Sequence, residues 1–192
     1  MTKSIDFYFD FISPYSYLAH KKIINLNLRN IFDYKAILLG GLHNLAEVTP
    51  PAFNERKMKN MKDDCILIAK KNEISFKWNE KFPVNSLNLM RGTLIIENNK
   101  KNKFIDLCFD AYWKDNLDIS VEENIKKILS DCEIDHDYFE KSIKEQIIKN
   151  KLRELTSEAF KLDVFGAPTF LVNNKLFWGQ DRLEYAIDEL KN

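Results

Sequence analysis

The order of apolar and polar positions divides the chain into three parts. Ile5 to Phe11 is an apolar run broken only by Asp6 and Asp10, which predicts a first strand over about residues 4–11. From Tyr15 the spacing changes. Leu18, Ala19 and Ile23 fall on one helical face and predict a helix over about residues 15–30. Tyr34 to Leu39 reads as a second strand closing at Gly40-Gly41, and a strand–helix–strand unit implies a right-handed parallel crossover. Thr49-Pro50-Pro51 then marks a break. From Ala52 to Leu162 the pattern is helical almost throughout, with helices expected near 52–72, 86–99, 102–116, 121–131, 136–147 and 150–162. Gly is nearly absent there, while Lys, Glu, Leu and Ile dominate, a composition that suits helices. The end returns to strands. Thr169 to Val172, an Asn173-Asn174 turn and Lys175 to Trp178 read as a hairpin, followed by a last helix.

Two joints in this pattern carry candidate chemistry. Ser13-Pro14 stands where the first strand meets the first helix. A helix start has unpaired N–H groups and partial positive charge, so it favours an anion such as a thiolate. Ser followed by Pro is equally an ordinary N-cap followed by N1. The other joint is Ala167-Pro168, at the start of the third strand. Pro cannot donate to a ladder and belongs at a strand's first residue. A cis bond there would turn the Ala167 peptide groups toward an open edge, where an extended peptide can pair with them. A trans bond simply opening the strand is the alternative.

With strand–helix first and strand–strand–helix last, the ends form the skeleton of a thioredoxin fold. The whole chain resembles the kappa-class glutathione transferase and 2-hydroxychromene-2-carboxylate isomerase family, on the DsbA-like branch of that fold. The resemblance rests on FDFISPYSYLA (Phe9 to Ala19), FPVNSL (Phe82 to Leu87) and VFGAPTFLVNNKLFWGQDRL (Val164 to Leu183). It implies an α/β thioredoxin-like domain formed by residues 1–45 and 163–192, with a large all-helical insertion over 46–162.

The resemblance also implies roles for particular residues. Glutathione is the expected cofactor, and Ser13 is the expected catalytic residue, donating a hydrogen bond to its thiolate. The Ala167 backbone, next to Pro168, would pair with the cysteinyl portion. Gln180 and Asp181, at the opening of the last helix, would hold the γ-glutamyl end. Lys57 would lie near the glycyl carboxylate. Phe82 and Asn85 fall in the segment bordering the second-substrate pocket. Phe11, Tyr15, Phe53 and Trp113 are further candidates for an apolar wall. The residues allow other roles. Asp181 suits a first-turn acid, Lys57 a solvated lysine and Asn85-Ser86 a helix N-cap. One departure stands out: the family commonly has Asn-Lys before Pro-Pro, and this chain has Val48-Thr49. Val48 cannot replace the amide's side-chain hydrogen bonds.

Composition narrows the function classes. The 29 basic and 29 acidic side chains balance, so no overall attraction to nucleic acid or acidic lipid is expected. No apolar run reaches the roughly 18 residues of a membrane span, and no targeting segment is evident at either end. A cytoplasmic protein is the expectation. Cys65, Cys108 and Cys132 form no C-x-x-C, and the place of that motif is taken by Ser13-Pro14-Tyr15-Ser16. Dithiol oxidoreductase chemistry is thereby disfavoured, and core filling is the expected role of Cys65 and Cys108. No metal site is expected, because paired Cys and His spacings are absent. The resulting expectation is a glutathione-dependent isomerase acting on a small aromatic or electrophilic substrate, as a homodimer. A kappa-type transferase and a non-catalytic thiol-binding module are the alternatives.

Overall fold

The computed structural model describes residues 4–192. Strand β1 (Ile5–Phe9) lies inside a four-stranded sheet of order β2-β1-β3-β4. Its almost unbroken apolar sequence fits burial on both faces. β2 (Phe32–Ala36) runs parallel to it, pairing Ile5 with Phe32 and Phe9 with Ala36. β3 (Thr169–Val172) runs antiparallel, with Phe7 opposite Phe170. β4 (Lys175–Trp178) completes the expected hairpin. Asn173 and Asn174 both have positive φ, the conformation of a tight hairpin turn that Asn tolerates better than most residues.

Nine α-helices occur among the described residues. α1 (Pro14–Asn25) follows β1, and α2 (Leu39–Leu45) follows β2. Then come α3 (Glu55–Lys71), α4 (Leu87–Ile95), α5 (Asn98–Trp113), α6 (Glu122–Asp131), α7 (His136–Ser142) and α8 (Gln146–Lys161). α9 (Leu183–Lys191) closes the chain. The strand order and directions match the thioredoxin skeleton expected from sequence, with a mixed sheet and a predominantly helical middle.

Three expectations need correction. The second strand ends at Ala36, and Gly40-Gly41 lies inside α2 rather than in a turn. Asp10 causes this locally, because its Oδ2 accepts the Leu39 N–H at 2.8 Å and starts a helix there. The helix expected over 86–99 stops at Ile95, since Ile96 and Glu97 are extended and separate α4 from α5. The helix expected over 136–147 is shorter. α7 ends at Ser142, and α8 begins at Gln146 after a turn that keeps Ile143 buried.

One apolar core runs continuously from the sheet into the helical middle. Phe7, Phe9 and Phe11 stack on one face of the sheet, with Tyr34, Phe109 and Phe170 against them. Tyr8 points to the other face, as strand alternation requires. There it packs with Ile37, Leu42, Ala159 and Val164 under α2 and α8.

A buried hydroxyl at a cavity wall

The turn between β1 and α1 is held by Asp10, which is 1% exposed. Its Oδ1 accepts the Ile12 N–H at 3.1 Å and the Ser86 hydroxyl at 2.7 Å. With the Leu39 bond, one carboxyl group thus ties together the starts of α1, α2 and α4. Burial raises its pKa, and the three hydrogen bonds oppose that rise. Its signal was an acid at the end of an apolar strand, but its partners are far apart in sequence.

Ser13 is the N-cap of α1 and only 3% exposed. Its Oγ accepts the Ser16 N–H at 3.1 Å and donates to the Ala167 carbonyl at 2.8 Å. The Ala167–Pro168 bond is cis, as is Phe82–Pro83. The two joints singled out by sequence, 154 residues apart, therefore meet through a single hydrogen bond.

Both joints border a cavity of about 590 Å³. The α1 side contributes Ser13, Pro14 and Tyr15, and α2 contributes Leu39, His43 and Asn44. Pro50 to Phe53, Phe82 to Ser86, Phe165 to Ala167 and Trp178 complete the wall. The Tyr15 hydroxyl donates to Asp64 Oδ2 at 2.8 Å. Burial and that bond hold the phenol far above its ordinary pKa. Trp178 lies over Gly166, where an added Cβ would sit 2.6 Å from the indole nitrogen. Its ring meets Phe165 at 5.0 Å. Phe53, Phe82, Asn85 and Tyr15 all reach this wall, and Asn85 Oδ1 also accepts the Leu87 N–H at 2.9 Å.

Other predicted residues stand elsewhere. Phe11 is fully buried, because it continues the inward alternation of Phe7 and Phe9 and packs on Phe104 and Phe109. Trp113 is also buried, and its indole N–H donates to the Phe11 carbonyl at 2.8 Å. Neither lines the cavity. Gln180 and Asp181 border a separate depression with Lys22 and Glu184. Gln180 Oε1 accepts from Lys22 Nζ at 2.6 Å, and Asp181 lies 3.3 Å from Arg182. Lys57 is exposed in the first turn of α3, outside the cavity lining, and its backbone N–H is held by Asn54. Val48 is exposed and also lies outside it.

Sequence reasoning passed over His43 and Asn44 as parts of a site. Neither side chain has a hydrogen-bond or ion-pair partner among the described residues. Burial alone lowers the His43 pKa. A histidine in a short helix gave no signal until the fold brought that helix to the cavity. The three cysteines are buried free thiols. Burial raises the pKa of each, with Cys132 pushed up to about 11, so the reactive thiolate form is disfavoured. Among the described residues, no helix is long and apolar enough to cross a membrane.

Residues 4–191 match the DsbA-like thioredoxin domain. The chain belongs to that family. Within the family, it is 29% identical to a 2-hydroxychromene-2-carboxylate isomerase of Sphingobium xenophagum, over 96% of both chains. It is 24% identical to glutathione S-transferase kappa 1 of Rattus norvegicus, over 94% of this chain and 87% of that one. A solved 2-hydroxychromene-2-carboxylate isomerase superimposes with a TM-score of 0.86 at 26% identity, covering 97% and 95% of the two chains. A probable DsbA oxidoreductase of Streptomyces coelicolor shares the fold at a TM-score of 0.74 and 13% identity, over 98% of this chain and 88% of that one. The protein is an enzyme of this DsbA-like family.

Proposed function

We propose that the protein is a glutathione-dependent isomerase of the 2-hydroxychromene-2-carboxylate isomerase type. The observation that carries this reading is the position of Ser13. Its hydroxyl is buried at the start of α1, on the wall of a cavity large enough for a ligand. The residues fit a thiol peptide at two points. Ser13 offers a hydroxyl beside the helix N–H groups, and Ala167 offers a backbone carbonyl beside it. Glutathione would supply the thiol nucleophile.

The chemistry of the chain's own groups follows from one proton. Ser13 has a single O–H, directed at the Ala167 carbonyl. A peptide N–H of the ligand would keep that carbonyl satisfied when the Ser13 proton turns toward a thiolate. That hydrogen bond and the N-terminal field of α1 favour the ionised sulfur. Ser13 therefore activates rather than attacks. No histidine contacts its hydroxyl, so the usual adjacent base of a serine nucleophile is missing among the described residues. Gln180, Asp181 and Lys57 would contact only the outer parts of the ligand, from beyond the cavity.

Kappa-type transfer is the second reading, favoured by the rat relative. It needs the same thiolate and the same Ser13. In either reading we expect a homodimer, and a monomer by light scattering at micromolar concentration would count against that. The test of thiol activation is calorimetric titration of reduced glutathione into wild type and Ser13→Ala, with the ultraviolet thiolate absorbance followed in parallel. Binding with a thiolate signal that Ser13→Ala diminishes is expected. No binding by wild type at millimolar glutathione would overturn the reading.

A further inference from the structure

We infer that Asp10, acting through the Ser86 hydroxyl, is the internal acceptor of the proton that a bound thiol gives up at this wall; this rests on the thiol-activation reading of the same cavity. Ser13 offers sulfur a hydrogen bond but cannot store a proton, since its hydroxyl already carries one. The acceptor must lie elsewhere. Asp10 belongs to the same turn as Ser13, whose backbone N–H donates to the Asp10 carbonyl at 3.0 Å. It carries the one carboxyl group in the cavity lining. Ser86, also in the lining, donates its hydroxyl to Asp10 Oδ1 at 2.7 Å.

The transfer balances within these groups. Ser86 Oγ takes the proton from sulfur as its own O–H proton passes to Asp10 Oδ1. The negative charge moves from carboxylate to sulfur, so the site holds one negative charge before and after. The Ser86–Asp10 hydrogen bond survives with its direction reversed. Oδ2 still accepts the Leu39 N–H, and Oδ1 keeps the capacity to accept the Ile12 N–H. Without the transfer, a thiolate would join a buried carboxylate on one wall, and like charges so placed share a single proton instead. Burial raises the Asp10 pKa, and no cation pairs with it among the described residues. The other titratable groups facing the cavity are poorer acceptors. α2 brings His43, whose pKa burial lowers. α1 brings Tyr15, a phenol that itself donates to Asp64. Asp64 is partly exposed and outside the lining. The Phe82–Ser86 segment brings no titratable side chain.

Proton counting tests this. Reduced glutathione is titrated by calorimetry at neutral pH into wild type and Asp10→Asn, in buffers of different ionisation enthalpy, with ultraviolet thiolate absorbance in parallel. S-methylglutathione, which has no thiol, supplies the background count. Free thiol is protonated at that pH, so thiolate formation without an internal acceptor frees about one proton per site. Wild type is expected to show the thiolate signal while releasing less than about half a proton, and Asp10→Asn to release about one. Difference infrared spectra of wild type with isotope-labelled aspartate are expected to gain the C=O band of a protonated carboxyl with glutathione and not with S-methylglutathione. Ser86→Ala keeps the carboxyl group and is expected to shift that band, which assigns it even where Asp10→Asn fails to fold. Asp64→Asn is expected to leave the band unmoved. A wild-type thiolate with about one proton released, no carboxyl band, a band indifferent to Ser86→Ala or a band lost in Asp64→Asn would overturn the inference and leave the thiol reading standing. No glutathione binding, or binding without a thiolate signal, would remove both.

Discussion

α1 and α2 face each other across one cavity and are built on opposite terms. Along α1, most polar side chains are tied down, although the buried Ser16 hydroxyl has no partner among the described residues. Ser13 bonds Ala167, Tyr15 bonds Asp64, Lys21 pairs with Asp110 at 2.5 Å, and Lys22 bonds Gln180. His20, fully buried, has Tyr34 at 2.9 Å and Asp106 at 3.2 Å. α2 has two polar side chains, His43 and Asn44, and neither is tied. The same residue type therefore does different work on the two helices. His20 fixes α1 against β2 and α5, whereas His43 lines the cavity with no partner among the described residues. A wall that positions a nucleophile gains from rigidity, and a wall that selects among substrates needs unpaired donors.

Asp10 is the point where the two helices share a support, so removing it should give the largest effect. Asp10→Ala leaves the Ile12 and Leu39 N–H groups and the Ser86 hydroxyl without their acceptor. Buried unsatisfied donors cost about 1–3 kcal/mol each, and incomplete relaxation makes about 3–5 kcal/mol the expected total. Urea denaturation followed by circular dichroism measures it. A loss under about 1 kcal/mol would show that water or another group replaces the carboxyl group without difficulty, and the idea of a shared support would fail.

Gly166 tests the side of the cavity where β4 meets the Ala167 loop. A Cβ there would come 2.6 Å from the Trp178 indole nitrogen, so Gly166→Ala should push the indole outward. Stability should fall by about 1–3 kcal/mol, the range for overpacking, and tryptophan emission should shift as the ring becomes more exposed. An unchanged emission maximum would mean that the backbone, not the indole, gives way.

Parts of this arrangement were legible from sequence, and the reason differs for each part. Strand and helix spacing located β1, α1 and the Asn173-Asn174 hairpin, because those features are local. Ser13 and Ala167-Pro168 stood out because a helix start and a proline at a strand start are local signals too. Their meeting at 2.8 Å is not local; it follows from the β1–β3 pairing. Phe11 was misplaced for the same reason. Its aromatic type suits either a cavity or a core, and only strand alternation in the folded sheet decides between them. Gln180 and Asp181 begin the final helical segment as expected, yet sequence could not show that they border a different depression from Ser13. His43 sent no signal at all, because its importance lies in what it does not contact.

The two histidines also predict different responses to acid. Both have pKa values lowered by burial below the ordinary 6.5, so the unfolded chain binds each proton first as pH falls. The stability each contributes is present above the unfolded value and is lost as pH falls through it toward the folded value. Hydrogen bonding and charge from Asp106 resist the lowering at His20, but complete burial outweighs them. Each pKa unit of separation corresponds to about 1.4 kcal/mol. Wild type should therefore lose stability between about pH 7 and pH 5, and His43→Leu, which removes only the half-buried ring, should keep most of that slope. If His43→Leu flattened the slope, the acid sensitivity would belong to α2, and the contrast between the helices would be reversed.

The smallest effects provide the sharpest comparison. Ser13→Ala removes the N-cap acceptor of Ser16 and the donor to Ala167, so it should cost about 1–2 kcal/mol even without ligand. Asn44→Ala removes an exposed amide with no partner among the described residues, so it should stay within about 0.5 kcal/mol of wild type. Thermal unfolding of both variants at one pH checks the pair. A side chain that is costly to remove was supporting the fold, whereas one that is free to remove yet alters ligand affinity is held in place for the ligand. If Asn44→Ala destabilised the protein as much as Ser13→Ala, α2 would be a structural wall like α1, and the availability of His43 beside it would need another cause.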